Sequence, residues 1–268
     1  AFLTGANSAI FLDEDSAITS TADNMTGIAL KGSYAGGLPV TINGEIQYYD
    51  VVNKGHISFG NNSVGIYTVD GASIKNDGDI FMGDYSAALY GNGTGTKIYN
   101  GGTLEIGQYS VGVYNNDGAE IINDGIINSS ANGVTGLYID GDSNTAGTNN
   151  NIIKLAGKKS VGVYLSENGS KTFENKRIIE MGDSDSENPN IGIYNNNKNA
   201  VITNSGDIST GKAGIGIYSN GGHINSLLGS ITTGENGVGI YSDSGSVNIA
   251  SGIINANGSN TVGLYGIN

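Results

Sequence analysis

Two short segments decide the fold of this chain: Asn53–Gly60 (NKGHISFG) and Ser63–Tyr67 (SVGIY). The tripeptide Gly-aliphatic-Tyr that closes the second segment recurs along the sequence. Its tyrosines are Tyr67, Tyr90, Tyr114, Tyr138, Tyr164, Tyr194, Tyr218, Tyr241 and Tyr265, with Ala88 replacing the glycine before Tyr90. Successive tyrosines are 23 to 30 residues apart, and most are 23 or 24 apart. A repeat of this length predicts a solenoid in which each unit forms one coil.

A second element, aliphatic-x-Asn-x-Gly-x-aliphatic, lies between the tyrosines, for example at 74–80, 121–127 and 202–208. Each unit of about 24 residues thus contains three short alternating segments separated by Gly, Asn, Asp and Ser. No segment has helical apolar spacing. A sandwich or barrel would not require the same residue type at the same phase nine times. The pattern therefore predicts an all-β, right-handed parallel β-helix of nine to eleven coils.

Identical positions of neighbouring coils lie directly above one another in such a fold. We expect an asparagine ladder whose stacked amides bond to one another or to a turn backbone. Its members are Asn53, Asn76, Asn100, Asn123, Asn175 and Asn204, and Leu227 and Ala250 take the place in the last two coils. Residues one and three positions before each tyrosine, such as Val64 and Ile66, are expected to face the core, with the glycine between them facing outward.

The repeat is less regular in two places. Residues 1–52 are expected to form irregular N-terminal coils, with 26–29 as a coil that has Ala for Tyr and 31–52 as an insertion. Residues 53–268 are expected to form regular coils, with loops extruded at about 139–190, including a polar loop at 140–151. The whole is predicted to be a single continuous solenoid and a piece of a longer protein.

Composition argues against several classes of protein. The net charge is −13, and the chain has eleven lysines and one arginine, Arg177, so nucleic acid is not an expected partner. Cysteine is absent, which excludes disulfides and thiolate chemistry. No apolar run approaches the ~20 residues of a membrane helix. No cofactor is expected.

Possible sites of chemistry are few. Gly206–Ala213 resembles a phosphate-binding loop, but its glycine spacing belongs to the repeat. Asp140, Asp142 and Asn144 have the opening spacing of a calcium loop without its later ligands. They are candidate metal ligands, and a solvated acidic loop is the alternative. A carbohydrate-active enzyme would need two carboxylates near 139–190. We expect no catalytic residues.

The tyrosines have two interpretations. Stacked rings stabilise a solenoid, and an outward aromatic stripe offers rigid contacts to a protein or glycan. The binding-surface candidates are Tyr138, Tyr164, Tyr194, Lys158, Lys159, Lys171, Lys176, Arg177, Asp183 and Asp185.

The units at 53–60 and 63–67 resemble the passenger repeats of large fusobacterial autotransporter adhesins of the RadD-like group, over about residues 53–268. The resemblance implies type V export to the cell surface, a C-terminal outer-membrane barrel outside these residues, and binding to host cells or other bacteria. It provides no binding residues to transfer. A structural stalk that displays a distal binding domain is the alternative function, and a β-helix enzyme is a third.

Overall fold

The computed structural model describes residues 2–4, 8–33 and 36–267. The described residues form thirty-three β-strands, numbered β1 to β33 in chain order, and contain no helix. Three sheets are parallel, with eleven, ten and ten strands, and the remaining two strands form an antiparallel hairpin.

Sheet 1 contains β1 (Phe2–Thr4), β4 (Thr26–Lys31), β9 (Val64–Val69), β12 (Ala87–Asn92), β15 (Val111–Asn116), β18 (Thr135–Asp140), β21 (Val161–Leu165), β24 (Ile191–Asn195), β27 (Ile215–Asn220), β30 (Val238–Asp243) and β33 (Val262–Ile267). Sheet 2 contains β2 (Ile10–Leu12), β7 (Val51–Asn53), β10 (Ile74–Asn76), β13 (Lys97–Asn100), β16 (Glu120–Asn123), β19 (Thr145–Asn149), β22 (Lys171–Asn175), β25 (Val201–Asn204), β28 (His223–Ser226) and β31 (Ser246–Ile249). Sheet 3 contains β3 (Ala17–Thr19), β8 (His56–Phe59), β11 (Ile80–Met82), β14 (Thr103–Ile106), β17 (Ile126–Ser129), β20 (Ile152–Leu155), β23 (Ile178–Met181), β26 (Asp207–Thr210), β29 (Ser230–Thr233) and β32 (Ile253–Ala256). The hairpin contains β5 (Leu38–Ile42) and β6 (Glu45–Tyr49).

Each coil passes through sheet 2, sheet 3 and sheet 1 in that order, and ten such coils follow β1. Every neighbouring pair within the three sheets is parallel; Tyr90, for example, is opposite Tyr67 and Tyr114. The predicted parallel β-helix with three strands per coil is confirmed. Its right-handed sense stays a prediction from the handedness of parallel crossovers.

The core is a stack of inward aliphatic columns, one from each sheet. In sheet 3 the column runs through Ile57, Ile80, Leu104 and Ile127, which are in register and fully buried. Branched side chains lie one strand spacing apart in such a column, and this arrangement suits their stiff χ1 angles. Each coil is buried only by its neighbours, so the interior is continuous along the whole stack.

A ladder of buried asparagine amides follows the turn between sheets 2 and 3. In each step Nδ2 of one asparagine donates to Oδ1 of the next at 2.7–2.9 Å. The ladder contains Asn53, Asn76, Asn100, Asn123, Asn149, Asn175 and Asn204. The same amides also donate to the backbone, for instance from Asn76 to the Gly78 carbonyl at 2.9 Å. Both alternatives considered for these amides therefore occur together.

The ends of the ladder carry its unpaired atoms. Asn53 Oδ1 and Asn204 Nδ2 are buried and have no hydrogen-bond partner among the described residues. Ser226 and Ile249 are in register beyond Asn204, so the expectation that Leu227 and Ala250 take these places is wrong by one residue. The reason is a difference in spacing: the ladder position Ser226 lies 15 residues before Tyr241, whereas Asn204 lies 14 residues before Tyr218.

The glycine of the Gly-aliphatic-Tyr motif faces inward, which corrects the sequence-based expectation. Gly65 and Ile66 are buried, whereas Val64 is half-buried. A Cβ on Gly65 would lie 2.6 Å from the Ala88 carbonyl oxygen and 3.0 Å from Ile80 Cγ2 of sheet 3. Two consecutive residues are therefore buried where the strand leaves the turn, and the first of them is glycine in each motif from Tyr67 to Tyr265 except that of Tyr90, which has the small residue Ala88.

Residues 139–190 are more regular than predicted. They include the strands β19 to β23, and Thr145–Asn149, assigned to a polar loop from the sequence, forms β19 of sheet 2. The residues outside strands form short connections at 141–144, 150–151, 156–160, 166–170, 176–177 and 182–190. The expected polar loop at 140–151 is therefore wrong for 145–149, and the extra residues of this stretch fit within the connections while the register continues.

The insertion near the N-terminus is the β5–β6 hairpin. Its turn is Asn43-Gly44, and both residues have positive φ, as the tight hairpin turn requires. The hairpin packs Ile42 and Tyr49 against Val52 and Tyr99 on the outer face of sheet 2. Ala29 lies opposite Tyr67, so residues 26–29 occupy the tyrosine strand of an earlier coil, as the sequence indicates.

Replacing Gly136 by alanine should destabilise the solenoid by about 1–3 kcal/mol, the usual cost of overpacking. The new Cβ would lie 2.5 Å from the Gly162 carbonyl oxygen and 2.8 Å from Ile153 Cγ2. Denaturant unfolding measures the change. The matched control is Gly263→Ala at the same motif position, where the nearest atom is Ile254 Cγ2 at 3.8 Å. Equal effects of the two substitutions would contradict the steric explanation.

Candidate binding face on the outer side of sheet 1

A continuous column of nine tyrosine rings covers the outer side of sheet 1. Its members are Tyr67, Tyr90, Tyr114, Tyr138, Tyr164, Tyr194, Tyr218, Tyr241 and Tyr265. Neighbouring ring centroids are 4.6–5.2 Å apart, and the rings from Tyr164 to Tyr241 are within 9° of parallel. Each contact of this kind stabilises by about 0.5–1.5 kcal/mol beyond the area it buries. The column is therefore structural and also displays a continuous row of ring edges and hydroxyls about 40 Å long.

Burial shapes the acid–base properties of the column. It raises the pKa of Tyr138 to about 12, and the negative charge of Asp140 adds to the effect. Burial also raises the pKa of Tyr114, whose hydroxyl donates to Asp140 Oδ2 at 2.7 Å. Burial alone would raise the pKa of Asp140, but the bonds from Tyr114 and the Gly141 backbone lower it. Asp140 is thus a charged acceptor within the column, and its neighbouring phenols stay neutral.

A second stack, which contains only the two rings of Tyr85 and Tyr109, lies beside the column. The pair is stacked, with centroids 5.4 Å apart, and the rings are 59% and 44% exposed. Both residues have positive φ, at 56° and 54°. This conformation costs a side chain about 1–2 kcal/mol. Sequence analysis missed the pair, although both tyrosines lie five residues before a column tyrosine.

The same turn position is left-handed in most coils, and other residue types occupy it there. Its occupants are Asn24, Asn62, Tyr85, Tyr109, Gly133, Lys159, Ala213, Asn236 and Asn260. From Asn24 to Asn236, the backbone N–H at this position donates to a carbonyl oxygen of the next coil. The acceptor is the residue just before the equivalent position, as from Tyr85 to Gln108. Asparagine and glycine suit this backbone best, so the turn itself does not explain the two tyrosines.

The binding-surface candidates from the sequence separate into different environments. Tyr138, Tyr164 and Tyr194 are consecutive in the column. Exposed lysines mostly form surface ion pairs, with Lys158 Nζ 3.0 Å from Asp185 Oδ2 and Lys176 Nζ 3.2 Å from Glu174 Oε2. Such pairs contribute about 0–1 kcal/mol each.

The remaining exposed candidates have backbone or turn roles. The hydrogen bond from Lys158 lowers the pKa of Asp185. Asp183 accepts from the Lys212 backbone N–H at 2.9 Å. Lys159 occupies the left-handed turn position, and Arg177 is exposed next to the ladder turn. Asp183 and Asp185 lie in the connection 182–190, and Lys158 and Lys159 contact it from the preceding coil. Arg177 lies at a different turn, between sheets 2 and 3.

Lys171 is not a surface residue, which corrects its assignment as a binding candidate. The side chain is fully buried, and its Nζ donates to the carbonyl oxygens of Asp140, Gly141 and Ser143 at 2.7–3.2 Å. Burial lowers the pKa of this ammonium, although the nearby charge of Asp140 opposes the effect. Alternation in β22 turns Lys171 inward, because Phe173 and Asn175 are the other buried residues of that strand.

Lys171 also bears on the calcium alternative for Asp140, Asp142 and Asn144. The backbone oxygens of the 140–144 turn converge on the lysine ammonium, which occupies the position that a bound cation would need. Asp142 and Asn144 are exposed, and Asn144 Oδ1 accepts from the Ser170 backbone. Among the described residues no three His, Asp or Glu side chains are close enough to hold a metal ion.

No family model matches this chain, and no curated protein or solved structure is significantly similar to it. Within the described residues, no helix is long and apolar enough to cross a lipid bilayer.

Replacing Lys171 by methionine should lower the free energy of unfolding by about 3 kcal/mol. Methionine keeps the apolar stem but removes all three hydrogen bonds from the ammonium. The carbonyl oxygens of Asp140 and Ser143 keep long bonds from Asp117 N–H and Thr145 Oγ1, at 3.3 and 3.4 Å, whereas that of Gly141 loses its donor. Loss of a hydrogen bond from a charged group and an orphaned acceptor each cost up to about 3 kcal/mol. The control Lys154→Met removes an exposed lysine that pairs with Glu180 at 2.9 Å and should cost less than about 1 kcal/mol. Denaturant unfolding of both variants measures the difference, and a similar small loss in each would refute the internal role of Lys171.

The solenoid should lose stability as the pH rises above about 10, the ordinary pKa of tyrosine. Seven described tyrosines have raised pKa values: Tyr49, Tyr90, Tyr99, Tyr114, Tyr138, Tyr164 and Tyr218. Above that pH the unfolded chain releases protons that the folded chain retains, which favours unfolding. The lowered pKa of Lys171 acts in the opposite direction, but it is one group.

Denaturation midpoints between about pH 9 and pH 12, together with phenolate absorbance, test this dependence. Tyr114→Phe removes one of the seven groups and should make the decline shallower. A midpoint that does not change across this range would contradict the prediction.

Proposed function

We propose that this solenoid is an adhesive segment of a cell-surface protein and attaches to host cells or other bacteria through the outer side of sheet 1. The observation that carries the proposal is the column of nine stacked tyrosines on that surface. Tyrosine provides a large amphipathic contact area with little loss of side-chain entropy on binding. Such residues carry much of the binding energy in protein interfaces.

Rigidity supports the proposal. Every coil is joined to the next by three parallel strand pairs, and the asparagine ladder adds hydrogen bonds along the turn from Asn53 to Asn204. The tyrosines are held by the same register, so little ordering entropy remains to be lost when a partner binds. A partner would meet a preformed surface.

The resemblance to RadD-like autotransporter passengers supplies the cellular setting. It supports export by the type V route, display outside the outer membrane and anchoring through a barrel elsewhere in the protein. The partner is a surface protein or glycan. We propose no catalytic role: Asp185 pairs with Lys158 and Asp183 accepts from a backbone N–H, so these carboxylates are engaged in local structure.

A stalk that positions a distal binding domain is the second candidate. The register that continues through β19 to β23 favours it, because a spacer needs a stack without interruptions. The two functions differ in one measurable respect: the adhesive segment binds cells by itself, and the stalk does not.

The test is saturable binding of the purified 268-residue chain to bacterial and epithelial cells, compared with an unrelated acidic β-helix. The triple variant Tyr138→Val, Tyr164→Val and Tyr194→Val should reduce affinity at least about tenfold, because interface tyrosines commonly contribute more than 1 kcal/mol each. Valine keeps strand propensity.

The matched control replaces Ile126, Ile152 and Ile178 by threonine. These residues are in register on the outer side of sheet 3 in the same three coils, and the control should bind as well as the unmodified chain. Equal losses in both triple variants would remove the tyrosine column from the interface. Binding no better than that of the unrelated β-helix would favour the stalk.

A further inference from the structure

We propose that the groove between the Tyr85–Tyr109 pair and the column rings of Tyr90 and Tyr114 binds a neutral oligosaccharide. This inference rests on the proposed function, since it gives a ligand class to one part of the same face. The groove has a volume of about 300 Å³. Its lining is Asn62, Ser63, Val64, Tyr85, Ser86, Ala87, Tyr90, Tyr109, Val111 and Tyr114.

Backbone strain is the first observation that points to a ligand. Tyr85 and Tyr109 hold a left-handed conformation that bulky residues seldom adopt, and the same turn holds asparagine or glycine in most of the other coils that share it, with Lys159 and Ala213 as the exceptions. The two rings stack on each other yet stay 59% and 44% exposed, so burial offsets the strain only in part. Strained residues of this kind cluster at ligand sites.

The shape of the site is the second observation. Ala87 stands between Val64 and Val111 in the register of sheet 1, and its small side chain deepens the floor there. On the far side, the ring of Tyr109 lies over Gly133, where a Cβ would come within 2.3 Å of Tyr109 Cδ1. The glycine thus leaves room for the ring that forms one wall of the groove.

The chemistry of the lining selects the ligand. It contains tyrosine rings, aliphatic side chains, hydroxyls and one amide, but no charged residue. In the described part of the chain, the hydroxyls of Tyr85, Tyr90 and Tyr109 have no hydrogen-bond partner and are free to bind a ligand. A sugar combines an apolar C–H surface with hydroxyls in this way, and polar groups that fix its orientation are already in place.

Charged ligands fit the groove less well. An acidic sugar would find no cation in the lining, and the net charge of −13 opposes its approach. A cation needs the face of an aromatic ring, but stacking turns the faces of Tyr90 and Tyr114 toward each other. Only Tyr85 has an open face at the end of its pair, beside the exposed amide of Asn62. One sugar ring can pack there and donate hydrogen bonds to the amide.

The experiment measures binding of the purified 268-residue chain to an array of neutral glucose, galactose, N-acetylglucosamine and N-acetylgalactosamine oligomers and their sialylated counterparts. Calorimetry then gives the affinity for the bound neutral oligomer. The double variant Tyr85→Asn, Tyr109→Asn should bind at least about tenfold more weakly. Asparagine is the residue that several other coils use at this turn, so the variant should melt at the same or a higher temperature.

Tyr48→Asn is the matched control, because Tyr48 is as exposed as Tyr85 but lies on the β5–β6 hairpin, outside the groove. It should bind like the unmodified chain. Three results would overturn the inference: no neutral oligomer on the array binds, only sialylated oligomers bind, or the double variant binds with unchanged affinity. Lost binding together with a lower melting temperature would assign the pair to stability instead.

The outcome is separable from that of the proposed function. A chain that binds cells but no neutral oligosaccharide would lose only this inference. A chain that binds the array but neither bacterial nor epithelial cells would keep the groove and lose the adhesive role.

Discussion

The hydrogen bond between an asparagine amide of one coil and the amide above it is the constraint on which the rest of this structure depends. It is buried, so a coil displaced by one residue would leave a donor and an acceptor without partners. The ladder from Asn53 to Asn204 therefore fixes the register of sheet 2. Once the register is set, every other position must also lie above its equivalent, and like residues stack along the whole solenoid.

Stacking of equivalent positions explains the residue types on the inner and outer faces of the sheets. Inward positions repeat isoleucine because a column of branched side chains fills a narrow interior without gaps. The motif glycine repeats because its neighbour's carbonyl oxygen and a sheet 3 isoleucine occupy the space of a Cβ. Outside, the same register brings tyrosines to the ring separation at which stacking is favourable. One geometry thus produces both the core and the surface that we propose for binding.

The tolerance of the stack appears where the sequence departs from its repeat. The longer units at 139–190 keep all three strand pairings because their extra residues occupy connections, and two of these connections are filled by polar side chains from the next coil. Lys171 places an ammonium among carbonyl oxygens in one, and Asn197 donates an amide to four carbonyls in the other. Connections can therefore vary without disturbing the rings outside. The strained pair Tyr85 and Tyr109 is different, because these bulky side chains occupy a left-handed turn position while about half of their surface stays exposed.

The sequence by itself determined the architecture. Repetition of Gly-aliphatic-Tyr and Asn-x-Gly at one phase predicts three strands per coil, the asparagine ladder and the tyrosine column, because only vertical stacking makes identity at equivalent positions advantageous. The repeat did not reveal that Asn149 belongs to the ladder, because the 26-residue unit shifts it by one residue relative to its tyrosine. It also did not reveal that Lys171 points inward, because this depends on the alternation within β22. The inward glycine and the groove beside Tyr90 were decided by the tertiary structure alone. Both depend on atoms of neighbouring coils that come within a few ångströms only after the chain has closed its turns.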